Sequence, residues 1–286
     1  MSESRNLRIG VPSKGRLQQP AEELLHQSGL TFRRQERTLF ARCQEVPLDV
    51  MFVRAQDIPV LVAEGALDLG ITGQDLVAEN GARVAERLAL GFGRCRLAIC
   101  VPEQSRCQAL GDVAGGKLAT SFPALTRRHL KQEGVEARVV ELGGSLEVMV
   151  SLGLADAIVD LVETGSTLAA NQLRVLCEIG RYEAALVQHP EVRDRALVDR
   201  VVRRIEGVVI AREYSLLEYN VPRELLPQAE KITPGFESPT VSALEEEGWC
   251  AVKVMVKRAE VIDIMERLEQ LGATAILETQ ITNCRL

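Results

Sequence analysis

The segment Asp156-Ala-Ile-Val-Asp160-Leu-Val-Glu163-Thr164-Gly165-Ser166-Thr167-Leu168 carries the strongest chemical signal in the chain. An apolar run of strand character leads into a small, hydroxyl-rich turn that opens a helix. Free backbone N–H groups, the helix dipole and the hydroxyls of Thr164, Ser166 and Thr167 can therefore converge on one anion. A single phosphate fits such a turn. No Lys follows the glycine as in G-x-x-x-x-G-K-[ST], which disfavours a triphosphate cradle. Carboxylates beside a phosphate repel it unless they serve a neighbouring polar group, so Asp160 or Glu163 would accept hydrogen bonds from sugar hydroxyls or help hold Mg²⁺. Acid followed by a phosphate loop reads as a sugar-phosphate site. The alternative is a helix N-cap and turn, which favour the same Ser and Thr residues.

Further anion-directed residues are scattered along the chain. Ser13-Lys14-Gly15-Arg16 lies where a strand hands over to a helix, and cations there oppose the helix dipole unless an anion offsets them; surface solubility is the competing reading. Gly70-Ile-Thr72-Gly73-Gln-Asp75 is a second glycine-containing turn after a strand, suited to close backbone approach to a base or ribose. Arg54 ends another strand. Phe122-Pro-Ala-Leu-Thr126-Arg127-Arg128-His129 sets a hydroxyl and two guanidiniums at a helix start, again an anion contact. His129 stands among cations that disfavour its charged form, whereas His26 and His189 read as surface residues. Without G-x-S-x-G, HExxH or a Cys/His pair, covalent and metal-hydrolase chemistry have no support. Transfer through an electrophilic sugar is the better match.

The elements that must position these residues follow from pattern. LRIGV (7–11), LDVMFV (48–53), LDLGIT (67–72), RLAICVP (96–102), ARVVEL (137–142) and DAIVDLV (156–162) alternate with helical stretches at 17–27, 56–65 and 146–153, an α/β layer arrangement. Gly65-Ala-Leu-Asp68-Leu-Gly-Ile71 and Gly153-Leu-Ala-Asp156-Ala-Ile-Val159 share the frame G-x-x-D-x-x-[IV]. Either the frame marks two equivalent lobes with a ligand cleft, or a glycine merely ends a helix and an aspartate starts a strand twice over. An arginine-rich helix around 194–204 precedes a boundary near 209–213. The remainder reads β-α-β-β-α-β, the order of a ferredoxin-like domain. The expected division is one lobe from 1–94 with 178–209, a second at 95–177, and a tail domain at 210–286.

Composition bounds the function. The 286 residues exceed one ordinary domain, and 46% apolar with 26% charged residues excludes disorder. Aromatic content of 3% and a net charge of -6 argue against stacking platforms for nucleic acid and against an anionic membrane surface. Seven scattered cysteines without a CxxC pair form neither a disulfide framework nor a zinc motif, and no apolar run reaches spanning length, so a reduced, cytoplasmic protein is expected.

Together KGRL (14–17), GALDLGITGQDLV (65–77), FPALTRRH (122–129), GLADAIVDLVETGSTLAANQL (153–173), TPGFESPT (233–240) and LGATAIL (271–277) resemble segments of the ATP phosphoribosyltransferase family in its long form, nearly end to end. The resemblance implies a two-lobed fold like type II periplasmic binding proteins followed by a regulatory ACT-like domain. It also implies condensation of ATP with 5-phosphoribosyl 1-pyrophosphate, a Mg²⁺ requirement, feedback inhibition by histidine, and dimers assembling into hexamers. Carried onto matching positions, Glu163, Thr164, Gly165, Ser166, Thr167 and Leu168 would hold the 5-phosphate and Asp160 the ribose hydroxyls. Lys14 and Arg16 would face phosphates, and Arg54, Gly70, Thr72, Gly73 and Asp75 would form the nucleotide side. Asn220, Phe236, Ser238, Thr240 and Ala275 would form the effector region, with the metal ligands unassigned. The rivals are a non-catalytic two-lobed binding module with a sensing tail, and a DNA-linked regulator, which the acidic charge balance and the lack of a helix-turn-helix segment disfavour.

Overall fold

The computed structural model describes residues 5–35 and 38–285. The chain opens with β1 (Leu7–Pro12), α1 (Gln18–Gln27), β2 (Phe40–Arg42), β3 (Leu48–Val53), α2 (Ile58–Ala63), β4 (Leu69–Gly73), α3 (Gln74–Asn80) and β5 (Ala85–Ala89). It crosses into a second lobe made of β6 (Cys95–Pro102), β7 (Lys117–Thr120), α4 (Pro123–Gln132), β8 (Arg138–Glu141), α5 (Leu146–Ser151), β9 (Ala157–Val162), α6 (Ser166–Ala170) and β10 (Leu173–Tyr182). It then returns to the first sheet with β11 (Ala184–Gln188). Strands with helices on both faces are apolar almost throughout. Thus Ile9, Val11, Leu69, Ile71, Ala157, Ile158 and Val159 are all fully buried.

The lobes repeat one topology. The first sheet runs β2-β3-β1-β4-β11-β5 and the second β10-β6-β9-β7-β8. Without the edge strand β2, each is a parallel trio next to an antiparallel strand supplied by the chain's crossing or return. The repeated G-x-x-D-x-x-[IV] frame has the same work in both. Gly65 and Gly153 end α2 and α5, donating to Val62 O and Val150 O. Asp68 then donates its N–H to Arg8 O (2.9 Å) and accepts Arg8 N–H at Oδ2 (2.8 Å). Asp156 does the same with Lys117, at 2.9 and 2.8 Å. Each aspartate hooks the start of the neighbouring parallel strand, so β4 and β9 emerge in register with their C-terminal turns at equivalent places.

The chain divides into two compact units, one running to Glu23 and from Thr31 to Val198, the other comprising Leu24–Leu30 and Asp199 onward. The arginine-rich helix extends past 204. As α7 (Arg195–Glu213), it buries Val198, Val201, Val202, Ile205 and Val208 and leads directly into β12 (Tyr214–Pro222). Its apolar stripe continues beyond the arginines, which is why the charged stretch alone ends the helix too early.

β12 is followed by α8 (Leu226–Ile232), β13 (Thr240–Ala243), β14 (Trp249–Lys257), α9 (Val261–Leu271) and β15 (Thr274–Gln280). The sheet order β13-β14-β12-β15, antiparallel throughout, is that of a ferredoxin-like domain. Leu217, Tyr219, Val221, Val252 and Val254 form its core with Val261, Ile264 and Leu268 of α9. β2, β5, β7, β10 and β11 are strands the sequence pattern does not single out, because pairing with partners distant in the chain selects them.

All seven cysteines are free thiols. No helix among the described residues is long and apolar enough to cross a membrane.

Candidate active site

Beyond β9, the chain turns through Glu163, Thr164 and Gly165 into α6 and encloses a cavity of about 370 Å³, lined by Glu147, Asp160 and residues 161–168. Gly165 adopts φ +81°, a left-handed conformation that lets the backbone reverse so tightly. Thr164 and Ser166 hydroxyls lie 3.0 Å apart, and Thr164, Ser166 and Thr167 are exposed, whereas Leu168 anchors the turn in the second lobe's core. Asp160 is half-buried, and its Oδ1 accepts Leu161 N–H at 2.8 Å. Burial raises its carboxyl above the ordinary range, with the charge of Glu147 adding to the effect. The residues read as a sugar-phosphate site are therefore gathered on one cavity.

A second cavity of about 410 Å³ shares Val162 and Glu163 with the first and adds Gln74, Arg94, Arg96, Arg181, Tyr182 and Glu183. Arg94, Arg96, Arg181 and Tyr182 carry no motif. They meet because β6 and β10 pair antiparallel, with Arg181 opposite Arg96 and Tyr182 opposite Cys95.

Arg16 lies between the lobes. Its guanidinium donates to Gly93 O (2.7 Å) and Cys95 Sγ (3.2 Å), pairs with Glu163 (3.2 Å), and faces the buried Asp75 at 3.7 Å. Burial pushes the Asp75 carboxyl up, and Arg16 opposes that shift. Burial also keeps Cys95 a thiol, its pKa raised. The arginine expected to face phosphate is thus occupied by protein acceptors and tethers the 163 loop to the first lobe. Arg34, which the sequence reading missed, braces the same corner: it donates to Ser13 O at 3.0 Å, pairs with Glu22 and lies 4.3 Å from the Phe52 ring centre.

Other expected residues are placed differently. Lys14 and Arg54 are exposed and line neither cavity. Gly70 is bare for packing, since a Cβ there would fall on Ile58 Cγ2 and lie 3.0 Å from Val62 Cγ2. Thr72 is fully buried, and its hydroxyl donates to Ala55 O at 2.8 Å. Gly73 leaves room for the Asp75 carboxylate, which a side chain would strike. The side-chain space at Gly70 and the hydroxyl of Thr72, both expected on the nucleotide side, are taken up from within the protein. The anion contact expected at 122–129 is also taken, because Glu79 accepts the Ala124 and Leu125 N–H groups and the Thr126 hydroxyl donates to Phe122 O. His129 stays half-buried on α4.

In the second unit, Asn220 and Thr240 share one face of the sheet, opposite Ala251 and Lys253. Ala275, at φ +49°, lies where the β12–β15 register shifts beside Asn220. Phe236 is exposed and stacks edge-on against Tyr214 at 6.2 Å, while Ser238 is exposed in the same turn. Tyr214 and Asn220 stand at opposite ends of β12, about 20 Å apart at ~3.3 Å per residue. The structure therefore brings Asn220 and Ala275 together near one end of β12, sets Thr240 level with Glu218 at the middle of that strand, and packs Phe236 against Tyr214 at the other end.

Family comparison agrees with this architecture. A model described as ATP phosphoribosyltransferase matches residues 54–207, and one described as HisG, C-terminal domain, matches 211–283. The chain is 56% identical over 280 residues to an ATP phosphoribosyltransferase of Rhodopirellula baltica, covering 98% of this chain and 94% of that one. It is 43% identical over 281 residues to one from Saccharopolyspora erythraea, covering 98% and 100%. Among solved structures, the ATP phosphoribosyl transferase (HisG:HisZ) complex from Thermotoga maritima aligns with a TM-score of 0.60 at 27% identity, over 70% of this chain and 98% of that one. A putative L-cystine ABC transporter from Listeria monocytogenes shares the fold, with a TM-score of 0.51 at 13% identity over 72% and 90%.

Proposed function

The chain belongs to the ATP phosphoribosyltransferase family and is a pentosyl-transferring enzyme, and from that premise we propose that it condenses ATP with 5-phosphoribosyl 1-pyrophosphate to N1-(5-phosphoribosyl)-ATP and pyrophosphate, the opening step of histidine biosynthesis, under feedback inhibition by histidine. The observation carrying this reading is the cavity of about 370 Å³ lined by the 160–168 segment, with the exposed hydroxyls of Thr164, Ser166 and Thr167 and the Asp160 carboxyl in that segment.

In this reading the amides and hydroxyls of residues 164–167 grip the 5-phosphate. Asp160 accepts the ribose hydroxyls, a donor pair that favours its ionised form and offsets its burial. The sugar is thereby fixed with its anomeric carbon towards the adjoining cavity, where Arg96 supplies positive charge beside Arg94 and Arg181, which pair with Glu183 (3.3 Å) and Glu178 (2.7 Å), and Tyr182 offers an aromatic surface for the nucleotide. The bond from the anomeric carbon to the pyrophosphate oxygen breaks with its electron pair leaving on pyrophosphate, and the lone pair of adenine N1 forms the new C–N bond. Positioning two substrates and stabilising a departing anion account for the rate without a protein nucleophile.

Mg²⁺, when bound, would neutralise pyrophosphate charge. The donor set fits it, because Mg²⁺ is ordinarily held by one or two carboxylates plus substrate phosphates. Asp160 and Glu163, which line the cavity, are the carboxylates that would hold it, and no cluster of three or more acidic, His or Cys ligands occurs among the described residues. The second unit, matching the family's C-terminal domain, is read as the histidine-responsive part of a homo-oligomer.

The test is direct. The full chain is incubated with ATP, 5-phosphoribosyl 1-pyrophosphate and Mg²⁺, and the N1-substituted adenine chromophore is followed with and without histidine. Product dependent on both substrates and suppressed by histidine is expected; no product under any condition contradicts the reading.

A further inference from the structure

Helix α3 grows out of the first lobe's β4, yet much of its surface is committed to the second lobe. Leu76 and Ala78 pack against the core formed by Leu97, Ile99, Leu118, Leu125 and Val159. In its first turn, Gln74 donates its N–H to Glu183 O (2.9 Å) and accepts Glu183 N–H at Oε1 (3.1 Å), gripping the chain between β10 and β11 where it returns to the first lobe. In its last turn, Glu79 accepts Ala124 N–H at Oε1 (2.7 Å) and Leu125 N–H at Oε2 (2.9 Å).

That final contact is unusual in origin. α4 begins with Phe122 at its N-cap and Pro123 at its first position, and has no side-chain cap of its own. Its first free N–H groups need an acceptor, and a carboxylate also complements the helix dipole there. The acceptor comes from the other lobe. Beside Gln74, Asp75 faces Arg16, which in turn holds Glu163 of the sugar-phosphate loop.

We propose that Glu79 is a positioning residue for phosphoribosyl transfer. By capping α4 across the lobe junction it fixes the spacing and angle between the lobe that carries the 160–168 loop and the lobe that carries α3. This proposal rests on the functional reading above, in which the reacting atoms meet at that junction. Glu79 touches no substrate and lines neither cavity. It acts through α4, and its effect falls on the alignment of two bound substrates, since a misplacement of about 1 Å costs on the order of 100-fold in rate.

The test uses the full chain with Glu79→Ala and Glu79→Gln. Steady-state kinetics are measured with both substrates, alongside calorimetric binding of Mg²⁺–5-phosphoribosyl 1-pyrophosphate alone and the thermal midpoint. The expected result for Glu79→Ala is a kcat at least tenfold lower, with the Kd of the lone sugar substrate within twofold of wild type. Glu79→Gln, which keeps an acceptor but not the charge, recovers part of the loss. A kcat within twofold of wild type in Glu79→Ala overturns the proposal. So does a loss of kcat that only tracks a fallen thermal midpoint, with Kd weakened in proportion. Wild-type protein that makes no product fails the functional reading instead, and the two failures are thereby separated.

Discussion

The turns that follow β4 and β9 are built on the same plan and put to different uses. Each strand is preceded by a helix-ending glycine and an aspartate that hooks the adjacent parallel strand, and each continues through glycine into a helix. After β9 the turn is open: its hydroxyls are exposed around a cavity, and no neighbour lies within 4 Å of a Cβ placed on Gly165. After β4 the corresponding features are filled. Ile58 occupies the space beside Gly70, Ala55 O takes the Thr72 hydroxyl, and the Asp75 carboxylate covers Gly73. Local grammar thus builds a potential ligand turn in both lobes, and tertiary packing leaves one of them available. The filled turn acts indirectly, through Asp75 and Arg16, on the loop of the open one.

Paired substitutions sharpen this contrast. The largest effect on folding is expected from Gly70→Val, whose side chain must displace Ile58 and Val62; overpacking of this kind costs about 1–3 kcal/mol, occasionally more. Its thermal midpoint should fall clearly. Gly165→Ala meets no atoms but forces a left-handed φ on an alanine, about 1–2 kcal/mol of local strain. That cost should appear mainly as weaker sugar-phosphate binding. If calorimetry and thermal melts show the reverse assignment, the turns have been given the wrong roles.

Next come the hydroxyls. Thr72→Val strips the half-buried Ala55 carbonyl of its donor and should lower stability by about 1–3 kcal/mol with substrate affinity unchanged. Thr167→Ala should weaken binding of the sugar substrate by about 1–3 kcal/mol, the range for a charge-assisted bond, with little change in melting. An unaltered dissociation constant removes the Thr167 hydroxyl from the site.

The smallest effect concerns protons. Asp160 holds a raised pKa in the free protein, so the folded state binds more protons than the unfolded state between the ordinary and raised values. Its contribution to stability therefore falls as pH rises through that window and is level above it. Sugar hydroxyls need the ionised form, so affinity for the sugar substrate should rise with pH across the same interval. Asp160→Asn should flatten that rise; an identical pH profile in the variant would take Asp160 off the ribose.

Much of this was legible from residue pattern. The alternation of apolar runs and helical stretches corresponds to the lobes, the G-x-x-D-x-x-[IV] repeat to their equivalence, and β-α-β-β-α-β to the last sheet. Those features depend on neighbours in sequence. What escaped depends on distant partners. Gly70 looks permissive until Ile58 is set against it, and Arg16 looks free until Gly93 and Cys95 arrive from nearly eighty residues away. The arginines of the second cavity face one another only through the β6–β10 pairing, and the Glu79 cap joins residues 45 and 46 positions apart.

The central claim is that the turn at 163–168 holds the phosphate of an activated pentose. A crystal structure of the full chain with Mg²⁺ and 5-phosphoribosyl 1-pyrophosphate tests it most directly. The 5-phosphate oxygens are expected within hydrogen-bonding distance of the backbone N–H groups and hydroxyls of residues 164–167, with a ribose hydroxyl on Asp160. A phosphate bound elsewhere, with that turn empty or packed beneath another segment, would contradict it.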